Sequence, residues 1–84
     1  MQIVYDEAKR ATNLIKHGLD FADLDVAFFD EATFSPGKYD RLIAVGEFRG
    51  QLVIAVIVKP LGSEALSVIS MRPASQSERK SIDG

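Results

Sequence analysis

The chain has 84 residues, with ten Lys and Arg against twelve Asp and Glu, one His and no Cys. That length supports one small domain, residues 1–84, which buries roughly 60 to 65% of its unfolded surface and so has a modest core that a partner would help. The absence of cysteine excludes a disulfide framework and a thiolate metal site, and a single histidine excludes a multi-histidine one, so no metal or cofactor is expected.

The longest apolar run, Leu52 to Val58, is too short to span a bilayer, and the polar and acidic N-terminus has no apolar stretch for a secretory signal. A cytoplasmic protein without a membrane partner is expected. The net charge of −2 argues at first against a nucleic-acid partner. Its distribution softens that objection. Between Asp20 and Asp40 lie six acids and one base, Lys38, whereas the rest of the chain carries nine bases against six acids. Such segregation can present a local positive cleft on an acidic protein.

In chain order, Gln2 to Tyr5 reads as a first strand, and Asp6 as the N-cap of a helix with acids in its first turn and Lys16 and His17 in its last, matching the helix dipole. Gly18 supplies the left-handed position that ends it. At about 100° per residue, Lys9, Asn13 and Lys16 share a stripe about 60° wide, beside an apolar stripe of Ala8, Ala11 and Ile15. Asp20 caps a second helix running to about Phe29, with Phe21, Leu24 and Phe28 as its buried face. Ser35-Pro36-Gly37 marks the turn that leaves it.

The period then changes. Arg41 to Glu47 alternates weakly, Arg49-Gly50 suits a hairpin turn, and Leu52 to Val58 reads as a central strand. Pro60-Leu61-Gly62-Ser63 turns the chain into a strand from Ala65 to Met71, which Pro73 ends. Ser75-Gln76-Ser77-Glu78 is a capping box that opens a short last helix, fraying by Gly84. The expected order is β-α-α-β-β-β with a C-terminal helix, an α+β fold with two helices on one face of an antiparallel sheet.

Two segments carry a resemblance. Tyr5-Asp6, Lys9, Asn13, Lys16-His17-Gly18 and Phe21 resemble the N-terminal signature of the BrnT family of small bacterial ribonuclease toxins, which reads aromatic-Asp, Lys, Asn and Lys-His-Gly at this spacing. Val68-Ile69-Ser70-Met71-Arg72-Pro73-Ala74, with Glu78 beyond, resembles the family's strand-end signature, and Arg41 to Gly46 is similar to its Arg-to-Gly strand. The resemblance implies a RelE-like fold and the toxin component of a type II toxin-antitoxin module. Such a toxin is an endoribonuclease that inhibits translation and growth, held inactive by a cognate BrnA-like antitoxin, in a homodimer or a toxin-antitoxin hetero-oligomer.

Metal-free RNA cleavage requires a fixed cation at the phosphate and a proton carrier. Arg72, His17 and Lys16 are the candidate catalytic residues, and Lys9, Asn13 and Arg41 the candidate RNA-binding residues. Arg72 is expected at a sheet edge facing the first helix, with pairing to Glu78 as the structural alternative. His17 is also accounted for by its place in a last helical turn, Lys9 and Lys16 by solvation, and Arg41 by an edge position. Lys59 reads as a solubilising charge at a sheet boundary. The chain departs from the family pattern at Tyr5, Ser67 and Ile82, where Trp, Arg and Tyr are common, and at Ile57-Val58-Lys59, where a Tyr-Thr pair is frequent. Those departures define the rival reading, a catalytically degenerate interaction module that keeps only antitoxin binding.

Overall fold

A computed structural model describes residues 1–50 and 52–83, Asp83 by its backbone alone. The elements are β1 (Gln2–Tyr5), α1 (Glu7–His17), a 3-10 turn (Phe21–Asp23), α2 (Val26–Glu31), β2 (Thr33–Pro36), β3 (Leu42–Phe48), β4 (Leu52–Leu61), β5 (Ala65–Pro73) and α3 (Gln76–Asp83). The five strands form one sheet in the order β1-β5-β4-β3-β2. The fold is α+β as expected.

Three features differ from the sequence reading. The sheet is mixed, because β1 runs parallel to β5, with Tyr5 opposite Val68. A further strand, β2, occupies the expected Ser35-Pro36 turn and pairs antiparallel to β3 at the sheet edge, where a proline costs no ladder bond on its open side. The second helix is split. Asp20 caps only the 3-10 turn, through a 2.9 Å bond from Ala22 N–H, and Asp25 caps α2 through a 2.9 Å bond from Phe28 N–H. Two short-range caps stop the continuous helix that the apolar spacing predicts.

Strand β4 runs on through Pro60 to Leu61. Its β3 partner begins at Leu42, opposite Val58, so beyond that point β4 pairs with β5 alone and tolerates the missing N–H. Arg49 and Gly50, between β3 and β4, both take left-handed backbone. The capping box forms as expected: Glu78 N–H donates to Ser75 Oγ at 3.2 Å, and Ser75 N–H donates to Glu78 Oε1 at 2.8 Å. The fraying expected at Gly84 lies outside the described residues.

One sheet face carries the main core. Phe21, Leu24, Phe28 and Phe29 pack there on Ala44, Ile54, Val56, Val58, Val68 and Met71, and Tyr5 meets Phe21 edge to face at 5.7 Å. Phe28 comes so close to Gly46 that a Cβ there would stand 3.2 Å from its ring, which is why β3 has a glycine in mid-strand. The opposite face carries a smaller cluster, Val45, Val53 and Ala55, partly covered by Ile82 of α3.

Helix α1 is attached differently. Asp6 caps it with a 2.7 Å bond from Ala8 N–H, and Gly18 ends it at φ 70°. The expected apolar stripe is not buried: Ala8 and Ala11 are exposed and Ile15 is 88% exposed. The inward face is instead Arg10, Asn13 and His17, and Asn13 is the buried residue, at 6% exposure. Register explains the choice. Strand β1 stops pairing at Tyr5 opposite Val68, which leaves the following part of β5 without a strand neighbour on that side. Met71 N–H donates there to Asn13 Oδ1 at 3.1 Å, while Asn13 Nδ2 donates to the Leu19 carbonyl oxygen at 3.1 Å.

Asn13→Ala is therefore expected to leave a buried N–H and a buried carbonyl unpaired. At about 1–3 kcal/mol for each unsatisfied group, the loss should lie between ~2 and ~6 kcal/mol, read as a lowered midpoint in urea unfolding. A change under 0.5 kcal/mol, on the scale of an ordinary surface substitution, would show that the helix is held by something else.

Candidate active site

The bulge in β5 shapes the site. Ile57 pairs with Ser70 but Val58 pairs with Val68, so Ile69 is the extra residue, and such irregularities re-aim side chains. Between this bulge and α1 lies a groove of about 300 Å³, lined by Ala8, Lys9, Thr12, Asn13, Lys16, His17, Ile69 and Ser70. Ser70 Oγ lies 3.4 Å from Asn13 Oδ1 and donates to it. The four helix residues singled out from sequence thus come together. Asn13 does so with both ends of its amide engaged by the protein itself, so it positions the groove wall.

The charges divide by residue type. Among the described residues the salt bridges involve arginines only: Arg10 with Asp20 and Glu7, Arg49 with Asp23, and Arg72 with Glu78. Lys9 and Lys16 stand in the groove with no salt bridge to a carboxylate among the described residues. The Arg10–Asp20 pair is bidentate, at 2.7 and 2.9 Å. The guanidinium hydrogen bonds hold the Asp20 carboxyl below the usual carboxylate range, and the pair fixes α1 to the start of the 3-10 turn. Two other clefts, one beside Glu31 and Glu47 and the other adding Asp23 and Asp25, carry carboxylates and repel phosphate. No group of three or more His, Asp or Glu suited to a metal occurs among the described residues.

Arg72 is placed differently from the expectation. Arg72 lies in the stretch of β5 that β1 does not cover, so the edge position holds, but it stands opposite Ala55, which belongs to the α3-covered face. Its guanidinium makes a fork-to-fork pair with Glu78 at 2.6 and 2.9 Å, with side-chain exposures of 34% and 18%. The physical reason is the capping box. Glu78 must turn back to the helix start to accept from Ser75 N–H, and that posture brings its carboxylate onto Arg72. Arg72 nevertheless stands only two residues along β5 from Ser70, about 6.6 Å at strand rise, although it does not line the groove itself. Arg41 does not line the groove but a different pocket, with Lys38 and Tyr39. Ser70 had no role in the sequence reading. It sits inside the strand-end motif, but only the bulge turns it toward the helix.

The chain matches the family model for the ribonuclease toxin BrnT of type II toxin-antitoxin systems over residues 5–78. Its structure is similar to the crystal structure of the Brucella abortus ribonuclease toxin BrnT, at 66% sequence identity and a TM-score of 0.84, covering 90% of this chain and 99% of that one. Comparison with functionally curated protein sequences gives no match.

The Glu78 carboxyl is held at about 2 against an ordinary 4.5, first by the Arg72 hydrogen bonds and then by Ser75 N–H, against an opposing effect of burial. Because the folded value is depressed, this contribution to stability is present above pH 4.5 and is lost as the pH falls toward 2. Glu78→Gln should flatten the acid limb of a stability-pH curve in that window. An acid limb that keeps the wild-type slope there would mean that the pair does not form in solution.

Proposed function

As a member of the BrnT family, ribonuclease toxins of type II toxin-antitoxin systems, this chain brings an expectation of RNA cleavage, and we propose that the groove between α1 and β5 is where it occurs, without a metal ion. The observation that carries this reading is the convergence of Lys9, Lys16 and His17 in one groove, with the neighbouring arginines already paired to carboxylates. A ribose 2′-hydroxyl attacks the adjacent phosphorus, the bond to the 5′-oxygen breaks, and a 2′,3′-cyclic phosphate and a 5′-hydroxyl end result. The 2′-proton leaves as the new bond forms, and the departing 5′-oxygen takes one up.

His17, the chain's one histidine, is the proton carrier in this scheme, because an imidazole can both accept and donate a proton. Lys16 stabilises the charge that grows on the phosphate, and Lys9 holds the strand through a neighbouring phosphate. Asn13 keeps α1 at its distance from Ser70. Arg72 supplies a fixed cation at the β5 end, where Glu78 has already restricted its rotamers, so little entropy is lost on contact. Translation and growth inhibition follow from such cleavage, and a cognate BrnA-like antitoxin neutralises the protein by covering the groove. That antitoxin also brings the DNA-binding element, since this chain has no helix-turn-helix pattern.

A second reading, an interaction module that keeps only antitoxin binding, is favoured by one observation: the fork of Arg72 is occupied by Glu78. Purified protein incubated with RNA, with and without EDTA, separates the two. Cleavage unaffected by EDTA is expected, whereas cleavage that vanishes with EDTA and returns with magnesium would exclude a metal-free site. Arg72→Ala should lower cleavage by roughly two to three orders of magnitude, the scale of one preorganised charge donor. Arg72→Lys should recover little of it, because the planar fork is lost. Full activity in Arg72→Ala together with an inactive His17→Ala would confine the chemistry to α1.

A further inference from the structure

The loop from β2 to β3 holds a second feature that the groove does not use. Gly37 N–H donates to the Arg41 carbonyl oxygen at 2.8 Å, and Arg41 N–H donates to that of Lys38 at 3.1 Å, so residues 37–41 form a closed turn. Within it Tyr39 and Asp40 both take left-handed backbone, at φ 57° and 62°. That conformation is costly for a bulky residue and persists where its surroundings enforce it. The consequence is an aromatic ring held 83% exposed. It borders a cavity of about 290 Å³ lined also by Gly37, Lys38, Arg41, Ile43 and Ile57.

The place of this cavity in the sheet connects it to the groove. Ser70 pairs across to Ile57, and Ile57 pairs across to Ile43. Ser70 lines the groove, while Ile57 and Ile43 floor the cavity. The two depressions therefore adjoin along one cross-strand row, with about 10 Å between Ser70 and Ile43 at the usual strand spacing. An exposed aromatic, an apolar floor, and two cations, Lys38 and Arg41, against the one carboxylate of Asp40 make a surface suited to a base and its phosphate. Single-stranded RNA is bound in this way, by stacking on aromatic rings while cations follow the backbone.

We propose that the Tyr39 cavity is a nucleobase subsite for the RNA strand whose scissile linkage lies in the α1–β5 groove. Tyr39 stacks on a base a short distance along the strand, and Lys38 and Arg41 contact its phosphate. The inference rests on the ribonuclease reading of the groove. It assigns to Arg41 the RNA contact expected from sequence, at a site distinct from the helix.

The test compares a dinucleotide, which fills the groove alone, with an oligoribonucleotide long enough to reach Tyr39. In Tyr39→Ala, KM for the oligonucleotide should rise about tenfold or more, the scale of one lost base stack, while dinucleotide cleavage stays unchanged. Tyr39→Phe should retain wild-type behaviour. Tyr39→Asn, a residue that tolerates the left-handed backbone, should match Tyr39→Ala and so separate loss of the ring from a change in the turn. Lys38→Ala should weaken oligonucleotide binding and reduce its salt dependence.

Equal KM for Tyr39→Ala and wild type on the oligonucleotide would overturn the proposal. So would a loss of antitoxin affinity with unchanged cleavage, which would make the cavity a protein-docking surface. If the wild-type protein cleaves neither substrate, the ribonuclease reading fails by itself. Binding of a non-cleavable 2′-O-methyl oligonucleotide then decides the subsite: tighter binding to wild type than to Tyr39→Ala supports it, and equal binding refutes it.

Discussion

The amide of Asn13 is the constraint on which the arrangement of the groove depends. A helix in so small a domain would ordinarily be held by an apolar stripe. Here α1 leaves Ile15 in solvent and buries a polar side chain. The amide accepts from the backbone of β5 and donates to the backbone that follows the helix. It thus takes the place of the next strand along the stretch of β5 that β1 does not cover. A directional bond specifies distance and rotation together, which apolar packing does less strictly. Lys9, Lys16 and His17 inherit their positions from it.

The distribution of charge follows a similar division of labour. Arginines make the structural pairs: Arg10 ties α1 to the 3-10 turn, and Arg72 ties β5 to α3. The planar fork is suited to such fixed bidentate contacts, whereas an ammonium on a flexible stem keeps its donors available to an arriving anion. The acidic segment also satisfies the helix starts, through Asp20 and Asp25, and supplies Asp23 to Arg49. Several of the acids behind the negative total are therefore engaged in capping and pairing. The net charge by itself is a poor guide to the field at the groove.

The bulge in β5 links the two halves of the site. By placing two residues, Ile69 and Ser70, where a regular strand would have one, it turns Ser70 toward the helix while leaving it paired with Ile57. The strand thus presents Ile69 and Ser70 to the groove and, two positions beyond Ser70, an arginine to α3. The Arg72–Glu78 pair and the capping box share the same carboxylate, so the last helix and the strand end form one unit.

Much was legible in the sequence because it depends on neighbours along the chain. The cap at Asp6, the left-handed Gly18, the Ser75–Glu78 box and the apolar run of β4 are all local signals found in place, whereas Asp20 caps only a 3-10 turn and not the longer helix expected there. The grouping of Lys9, Asn13 and Lys16 on one stripe of α1 was readable for the same reason, since helical geometry fixes which residues share a face, and the groove adds His17 to them. Partners distant in sequence were decided by tertiary structure alone. The parallel pairing of β1 with β5, the edge strand β2, the inward face of α1, the aim of Arg72 at Glu78 and the row from Ser70 to Ile43 depend on register across the sheet. Periodicity specifies which face a residue lies on, but it carries no information about which strand stands alongside, where a ladder stops, or what then satisfies the backbone left open.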